Sequence, residues 1–201
     1  MSGSEEKRRI PVLITGGRGS GKSVVSRVLR LRGYEVYDCD YEARLLMNSD
    51  AALLQSLRQR WGDEAVINGE TNRPFVASRV FGNREELRWL NSRVHGAVKR
   101  DISERLRRNP CMMVECAIPE SSGITEMSRR VWLVDAPEEL RLRRAMKRSR
   151  CSAAEVQSRM AAQQSEYATL PPERLALITN VDETALLPQI DKLLNQIEQQ
   201  C

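Results

Sequence analysis

Hydrophobic and polar positions along this chain follow strand-like runs and helix-like repeats in alternation. Ile10–Thr15 is a nearly continuous apolar run, the pattern of a strand buried on both faces of a parallel sheet. A glycine-rich turn follows, and Ser23–Arg32 then sets Val24, Val28 and Leu31 at helical spacing before Gly33 stops it. Tyr34–Tyr37 reads as a second short strand. From Tyr41 to Asn109 the pattern is mostly helical. Asp50–Trp61 carries Leu53, Leu54 and Leu57 on one face and ends at Gly62. Asn83 opens a longer helix, with Glu86 three residues on as a capping box, and Pro110 closes it. Cys111–Ile118 and Val131–Val134 read as further buried strands. Glu138–Arg148 is a basic helix after Pro137. Ser152 with Glu155 predicts a second capping box and a helix through Gln164. Leu175–Thr179 is the last strand, and Leu186, Ile190, Leu193, Leu194 and Ile197 mark a final amphipathic helix.

Five strand candidates separated by helices predict an α/β fold with a doubly wound, mainly parallel sheet in a single domain over 1–201. The stretch 41–109 is too long for a plain crossover and reads as a helical insertion above the carboxyl ends of the strands, where such sheets bind ligands. Residues 1–9 are polar and lack the apolar core of a secretory signal, so they read as a flexible tail.

Composition narrows the class. The chain has 201 residues, 41% hydrophobic and 29% charged, which excludes a disordered or low-complexity protein. No apolar run approaches the roughly 20 residues of a membrane helix, so no membrane role is expected. The net charge of +5 fits polyphosphate nucleotides as well as nucleic acid. Cys39, Cys111, Cys116, Cys151 and Cys201 contain no C-x-x-C pair, and His95 is the lone histidine, so reduced cytoplasmic thiols are expected rather than a zinc site.

Gly16-Gly17-Arg18-Gly19-Ser20-Gly21-Lys22-Ser23 matches G-x-x-x-x-G-K-[ST], a phosphate-binding loop, between a buried strand and a helix as the mechanism requires. A chance match in a chain of this length is on the order of one in a hundred. Glycines let successive N–H groups turn toward an anion, and the helix after them adds its positive dipole end. Lys22 is placed to reach the β- and γ-phosphates of ATP, and Ser23 to ligate Mg²⁺. Asp38 and Asp40 follow the second strand, where one carboxylate can take the proton of an attacking hydroxyl. The bland alternative for Asp40 is N-cap of a helix starting at Tyr41. Arg141, Arg143, Arg144, Lys147, Arg148, Arg150 and Arg159 form a basic run; Arg144 and Arg148 lead into a Ser149-Arg150-Cys151 turn between two helices, the shape of a lid over a triphosphate, with the lid region spanning about 149–173. His95, alone, reads as an ordinary helix histidine. Trp61, Trp89 and Trp132 are too scattered for a single-strand nucleic-acid platform.

The chain after the tail resembles the dephospho-coenzyme A kinase family. The marks are Thr15–Ser23, Tyr37-Asp38-Cys39-Asp40, Arg79-Val80-Phe81, Trp89-Leu90-Asn91 with Val94-His95, Glu115–Glu120, Val134–Glu138, Arg144 with Arg148, Arg159–Gln163 and Ile178-Thr179-Asn180. The resemblance implies a P-loop kinase fold with a five-stranded parallel sheet, a helical coenzyme-binding part and a small lid. It also implies phosphorylation of the ribose 3′-hydroxyl of dephospho-CoA by ATP with Mg²⁺, the last step of coenzyme A biosynthesis. By position, Asp40, Lys22 and Arg148 are implied as catalytic. Gly17, Arg18, Gly19, Ser20, Gly21, Lys22, Ser23, Val24, Arg144 and Asn180 are implied in nucleotide binding, with Asn180 part of the adenine pocket. Asp38, Asp40, His95 and Glu120 are implied in binding the second substrate. Arg18 stands where the family has an apolar residue. A monomer or weak homo-oligomer with no nucleic-acid partner is expected. Two alternatives are another small-molecule or nucleoside monophosphate kinase of this fold, and a nucleotide-switched regulatory or nucleic-acid-binding protein.

Overall fold

The computed structural model of the protein describes residues 9–148 and 152–198. Its elements run β1 (Ile10–Thr15), α1 (Lys22–Leu31), β2 (Val36–Asp38), α2 (Cys39–Ser49), α3 (Ala51–Trp61), a hairpin of β3 (Val66–Ile67) and β4 (Glu70–Thr71), α4 (Arg73–Val80) and α5 (Arg84–Arg108). There follow β5 (Met113–Glu115), α6 (Pro119–Ser122), β6 (Ser128–Asp135), α7 (Glu138–Arg148), α8 (Ala153–Ala168), β7 (Leu175–Thr179) and α9 (Leu186–Glu198). The residues divide into two compact units, one made of those up to Asp38 with those from Arg105 onward, the other Cys39–Glu104.

The first unit holds a five-stranded sheet in the order β2-β5-β1-β6-β7, with every neighbouring pair parallel. All five strands read from the sequence are present. All six residues of β1 are buried, which is why that strand reads as unbroken apolar sequence: a central parallel strand is covered on both faces. The core on one face joins Val12, Ile14, Val25, Trp132, Val134 and Ile190. A smaller cluster of Ala145, Val156 and Met160 joins α7 to α8.

Boundaries move where backbone donors are already committed. The Tyr34 N–H closes the end of α1 on the Leu29 carbonyl, 3.1 Å, so the strand predicted at Tyr34–Tyr37 begins at Val36. The Cys111 and Met112 N–H groups cap the end of α5 on Asn109, so β5 begins at Met113, and it ends well before Ile118. β6 is longer than predicted because β1 and β7 pair with it on its two sides. The capping box of Ser152 and Glu155 is formed, and α8 runs four residues past its predicted end at Gln164.

The second unit is helical apart from its hairpin. Its core packs Leu57, Trp61, Val66 and Val76 with Phe75 and Trp89, and the two tryptophan rings meet edge-to-face at 5.0 Å. The hairpin and α4 were not anticipated, although Asn68-Gly69, both at positive φ, is a two-residue turn signal, and Asn72 before Pro74 is a helix start. Two expectations need correction. Only half of the box at Asn83 exists: its side chain accepts from the Glu85 and Glu86 N–H groups, but the Glu86 carboxylate is engaged by Arg60 at 2.8 Å and Trp61 Nε1 at 2.9 Å. Asp40 does not cap a helix starting at Tyr41. β2 passes directly into α2 at Cys39, so Asp40 lies within the first helical turn.

Candidate active site

β1 delivers the chain to the carboxyl edge of the sheet, where the Thr15 hydroxyl donates to the Cys116 carbonyl at 2.8 Å and ties the end of β1 to the segment after β5. The glycine-rich turn begins there. Gly19 (φ 81°) and Gly21 (φ 100°) take left-handed angles that side-chain-bearing residues rarely adopt. Close approach is the second constraint. A β-carbon on Gly16 would collide with the Val134 carbonyl, one on Gly19 with the Arg141 carbonyl and one on Gly21 with the Asn180 amide. The loop is a mould shaped by β6, α7 and the turn after β7.

Gly21 is the N-cap of α1, and no side chain caps it. The first N–H groups of a helix have no intrahelical acceptors, so this end presents donors and a positive dipole to an anion. The Lys22 ammonium donates to the Gly16 carbonyl at 2.5 Å and reaches the Gly17 carbonyl at 3.5 Å. Ser23 and Val24 are exposed on the first turn. Ser20 is buried, and its hydroxyl has no partner among the described residues.

Asn180 braces this loop from the far edge. Its side-chain amide donates to the Ser20 carbonyl at 2.7 Å, its backbone N–H to the Asp135 carbonyl at 2.8 Å, and its own carbonyl accepts from Arg144 Nη1 at 3.0 Å. Arg144 also pairs with Asp182 at 3.8 Å. From α8, Gln163 accepts the Arg18 backbone N–H at 3.1 Å. Arg148 is the exposed last residue of α7, and the turn Ser149–Cys151 lies outside the described residues.

Strand register sets two carboxylates side by side. Asp38 on β2 is the Cα partner of Glu115 on β5, and Glu115 is the partner of Ile14 on β1. Burial, and then the Asp38 charge, push the Glu115 carboxyl up from its ordinary value, while the Ser26 hydroxyl, and after it Lys22 and Arg30, partly offset them. Sequence reading passed over Glu115 as a functional group. Its signal was an acidic residue closing a buried strand.

Glu120, on α6, donates its backbone N–H to the buried Glu166 carboxylate at 3.0 Å, as does Ser121. One Glu120 carboxylate oxygen accepts from Thr169 at 3.0 Å, and the other is buried without a partner among the described residues. Tyr167 donates to the Ala117 carbonyl at 3.0 Å, so the end of α8 is fastened to the segment after β5 at several points. Nothing in the sequence pattern distinguished Glu166 from a surface glutamate. In the second unit, Asp40 is exposed, with its carbonyl accepting from Arg44 Nε at 3.0 Å, and His95 is half-buried on α5.

The oxygen donors of the first unit suit Mg²⁺, a hard cation: the Ser23 hydroxyl and the carboxylates of Asp38 and Glu115. No group of three or more His, Cys, Asp or Glu side chains among the described residues forms a metal cage. An ion here would therefore depend on substrate phosphates for most of its ligands, the usual habit of Mg²⁺ in kinases.

A family model for dephospho-CoA kinase matches residues 10–180, from the start of β1 to Asn180. A dephospho-CoA kinase of Porphyromonas gingivalis is 34% identical over 192 residues, 94% of each chain. One from Streptococcus pneumoniae is 33% identical over 187 residues, covering 90% of this chain and 92% of its own. A crystal structure of TT1252 from Thermus thermophilus superposes with a TM-score of 0.73 at 33% identity, over 95% of this chain and 97% of that one. The dephospho-CoA kinase of Campylobacter jejuni shares the fold, with a TM-score of 0.65 at 20% identity over 94% of this chain and 97% of its own. With a P-loop, its bracing asparagine and the paired edge carboxylates all inside the matched segment, this chain belongs to the dephospho-CoA kinase family.

Proposed function

We propose that this protein transfers the γ-phosphoryl group of ATP to the ribose 3′-hydroxyl of dephospho-CoA, giving ADP and coenzyme A. The observation that carries the reading is the family match over 10–180, which spans the P-loop, the Asp38–Asp40 segment and Asn180 together. A P-loop alone names only a superfamily.

The reaction breaks the bond between the γ-phosphorus and the oxygen it shares with the β-phosphate, and forms one to the 3′-oxygen, whose proton must leave. Asp40, two residues beyond the end of β2, is the base that accepts it. Lys22 and the amides at the start of α1 hold the β- and γ-phosphates, with the glycines of the loop allowing close approach. Asn180 keeps the loop in shape through Ser20, and Arg144 in turn holds Asn180. Mg²⁺, when bound by the Ser23 hydroxyl and the phosphates, supplies charge neutralisation on the transferring group. Asp38 orients the acceptor or the waters of the metal, and His95 and Glu120 contact the coenzyme. Arg148 and the lid region close over the phosphates, which excludes water that would otherwise compete for the phosphoryl group. We further propose that 41–109 holds the coenzyme, and that the protein works in the cytoplasm as a monomer or weak homo-oligomer, without a nucleic-acid partner. No helix among the described residues is long and apolar enough to cross a membrane.

The test is ADP release by the full-length protein with ATP and Mg²⁺, with and without dephospho-CoA. Release that depends on dephospho-CoA, with coenzyme A as the second product, supports the reading. Equal release without it, or dependence on a nucleoside monophosphate instead, overturns it.

A further inference from the structure

Among the described arginines of the basic run, Arg141 lies directly against the P-loop, and the family resemblance gives it no role. Arg144 is committed to the Asn180 carbonyl and Asp182, and Arg148 is exposed at the end of α7. Arg141, just under one turn before Arg144, runs its guanidinium against Gly17: a β-carbon there would occupy the place of Nη1. The Arg141 backbone carbonyl sits against Gly19 in the same way, so both the backbone and the side chain of this residue pack on the loop.

Two features point to an anion as the missing partner of the guanidinium there. Its Nε is buried and has no hydrogen-bond partner among the described residues, which is costly for a charged donor unless a ligand completes it. Gly17 is also where Lys22 reaches, 3.5 Å from that carbonyl, so two cations converge on a single residue of the phosphate loop. Like charges gathered this way repel, and an anion between them turns the repulsion into attraction. Arg141 also lines a cavity of about 400 Å³ beside the loop, with Gly17, Gln157, Gln164 and Tyr167. Its carboxylates, Asp135 and Glu138, are exposed and able to keep their water.

We propose that Arg141 is a further polyphosphate-binding residue of this protein, donating its guanidinium to the β- and γ-phosphates of the nucleotide beside Lys22. The chemistry is the planar fork of arginine on phosphate oxygens, which a lysine matches only as a point charge. Gly17 then serves a second purpose beyond loop geometry, since its missing side chain leaves the space in which the guanidinium lies.

The inference rests on the nucleotide half of the proposed function and is tested without the acceptor. Binding of ATP, ADP and AMP to the full-length protein is measured by calorimetry for wild type, Arg141→Gln and Arg141→Lys, with melting curves beside them. Losing a charge-assisted bond pair weakens ATP by roughly tenfold to a hundredfold in Arg141→Gln. AMP, which lacks the β- and γ-phosphates, is expected to bind all three proteins alike. Arg141→Lys keeps the stem and the charge but not the fork, so its ATP affinity falls between the other two. Wild-type ATP affinity in Arg141→Gln overturns the proposal, and so does equal weakening of ATP and AMP, which marks a purely structural contact with the loop. Should Arg141→Gln fail to fold, wild-type ATP affinity in Arg141→Lys overturns it too. A wild type that binds ATP normally but does not phosphorylate dephospho-CoA sinks the functional reading alone and leaves this test intact.

Discussion

Asp40 sits in the first turn of α2 and not at its N-cap, which separates its two possible contributions. A carboxylate there gains about 0.3–1 kcal/mol from the helix dipole, and the asparagine variant loses at most that. A catalytic base loses far more. Asp40→Asn is expected to lower kcat by roughly 10²- to 10⁴-fold while melting and ATP affinity stay near wild type. Retained kcat would move the role to Asp38. Glu115 offers a test of opposite character. Burial and the Asp38 charge hold its carboxyl above the ordinary value, so the folded protein binds this proton more tightly than the unfolded chain does. Its ionisation therefore costs stability: the cost is absent below the ordinary glutamate value and grows as pH rises through the raised one. Glu115→Gln is expected to melt higher than wild type at pH 8, with the difference vanishing near pH 4. An unchanged or lower melting temperature at pH 8 contradicts the assignment. Lys22 and Ser23 were legible because their spacing from the glycines is the chemistry. Glu115, Glu166 and Arg141 were not, because their significance lies in what other segments bring against them.

At the scale of elements, local signals were reliable wherever the groups they name were free to meet. Asp50 caps α3 by accepting the Leu53 N–H at 2.6 Å, and it also pairs with Arg100 at 3.2 Å. Asp50→Ala is expected to cost about 1 kcal/mol in urea unfolding, with Asp50→Asn recovering most of it, since asparagine caps nearly as well. No recovery in Asp50→Asn would mean that the Arg100 pair, and not the cap, carries the effect. The boxes at Asn83 and Ser152 make the same point by contrast. Both have the right sequence, but Glu155 turns back to Ser152, whereas Arg60 and Trp61 take Glu86. The difference at Asn83 comes from residues more than twenty positions away in sequence, while the box at Ser152 is closed by its own two members.

For the whole molecule, nucleotide binding should register as stability. A ligand that binds only the folded state at a hundred times its Kd adds about 2.7 kcal/mol, so ATP with Mg²⁺ is expected to raise the melting temperature by several degrees. Lys22→Ala should abolish most of that shift and cut turnover by at least about a hundredfold. A full shift in Lys22→Ala would remove Lys22 from the phosphate site. The sequence by itself determined the chain order of the five sheet strands and of the helices around them, the phosphate loop and the family, though not the small hairpin or α4. These depend on patterns within a few residues: an unbroken apolar run, a glycine spacing, a helix start. The tertiary structure decided the strand order β2-β5-β1-β6-β7, which puts Asp38 beside Glu115 across seventy-seven positions of chain. It also decided which arginine of a dense run rests on Gly17 and which one holds Asn180. Arg141 and Arg144 have the same chemistry and lie less than one helical turn apart on one face of α7; only the segment each meets there, the P-loop or the turn after β7, assigns their work.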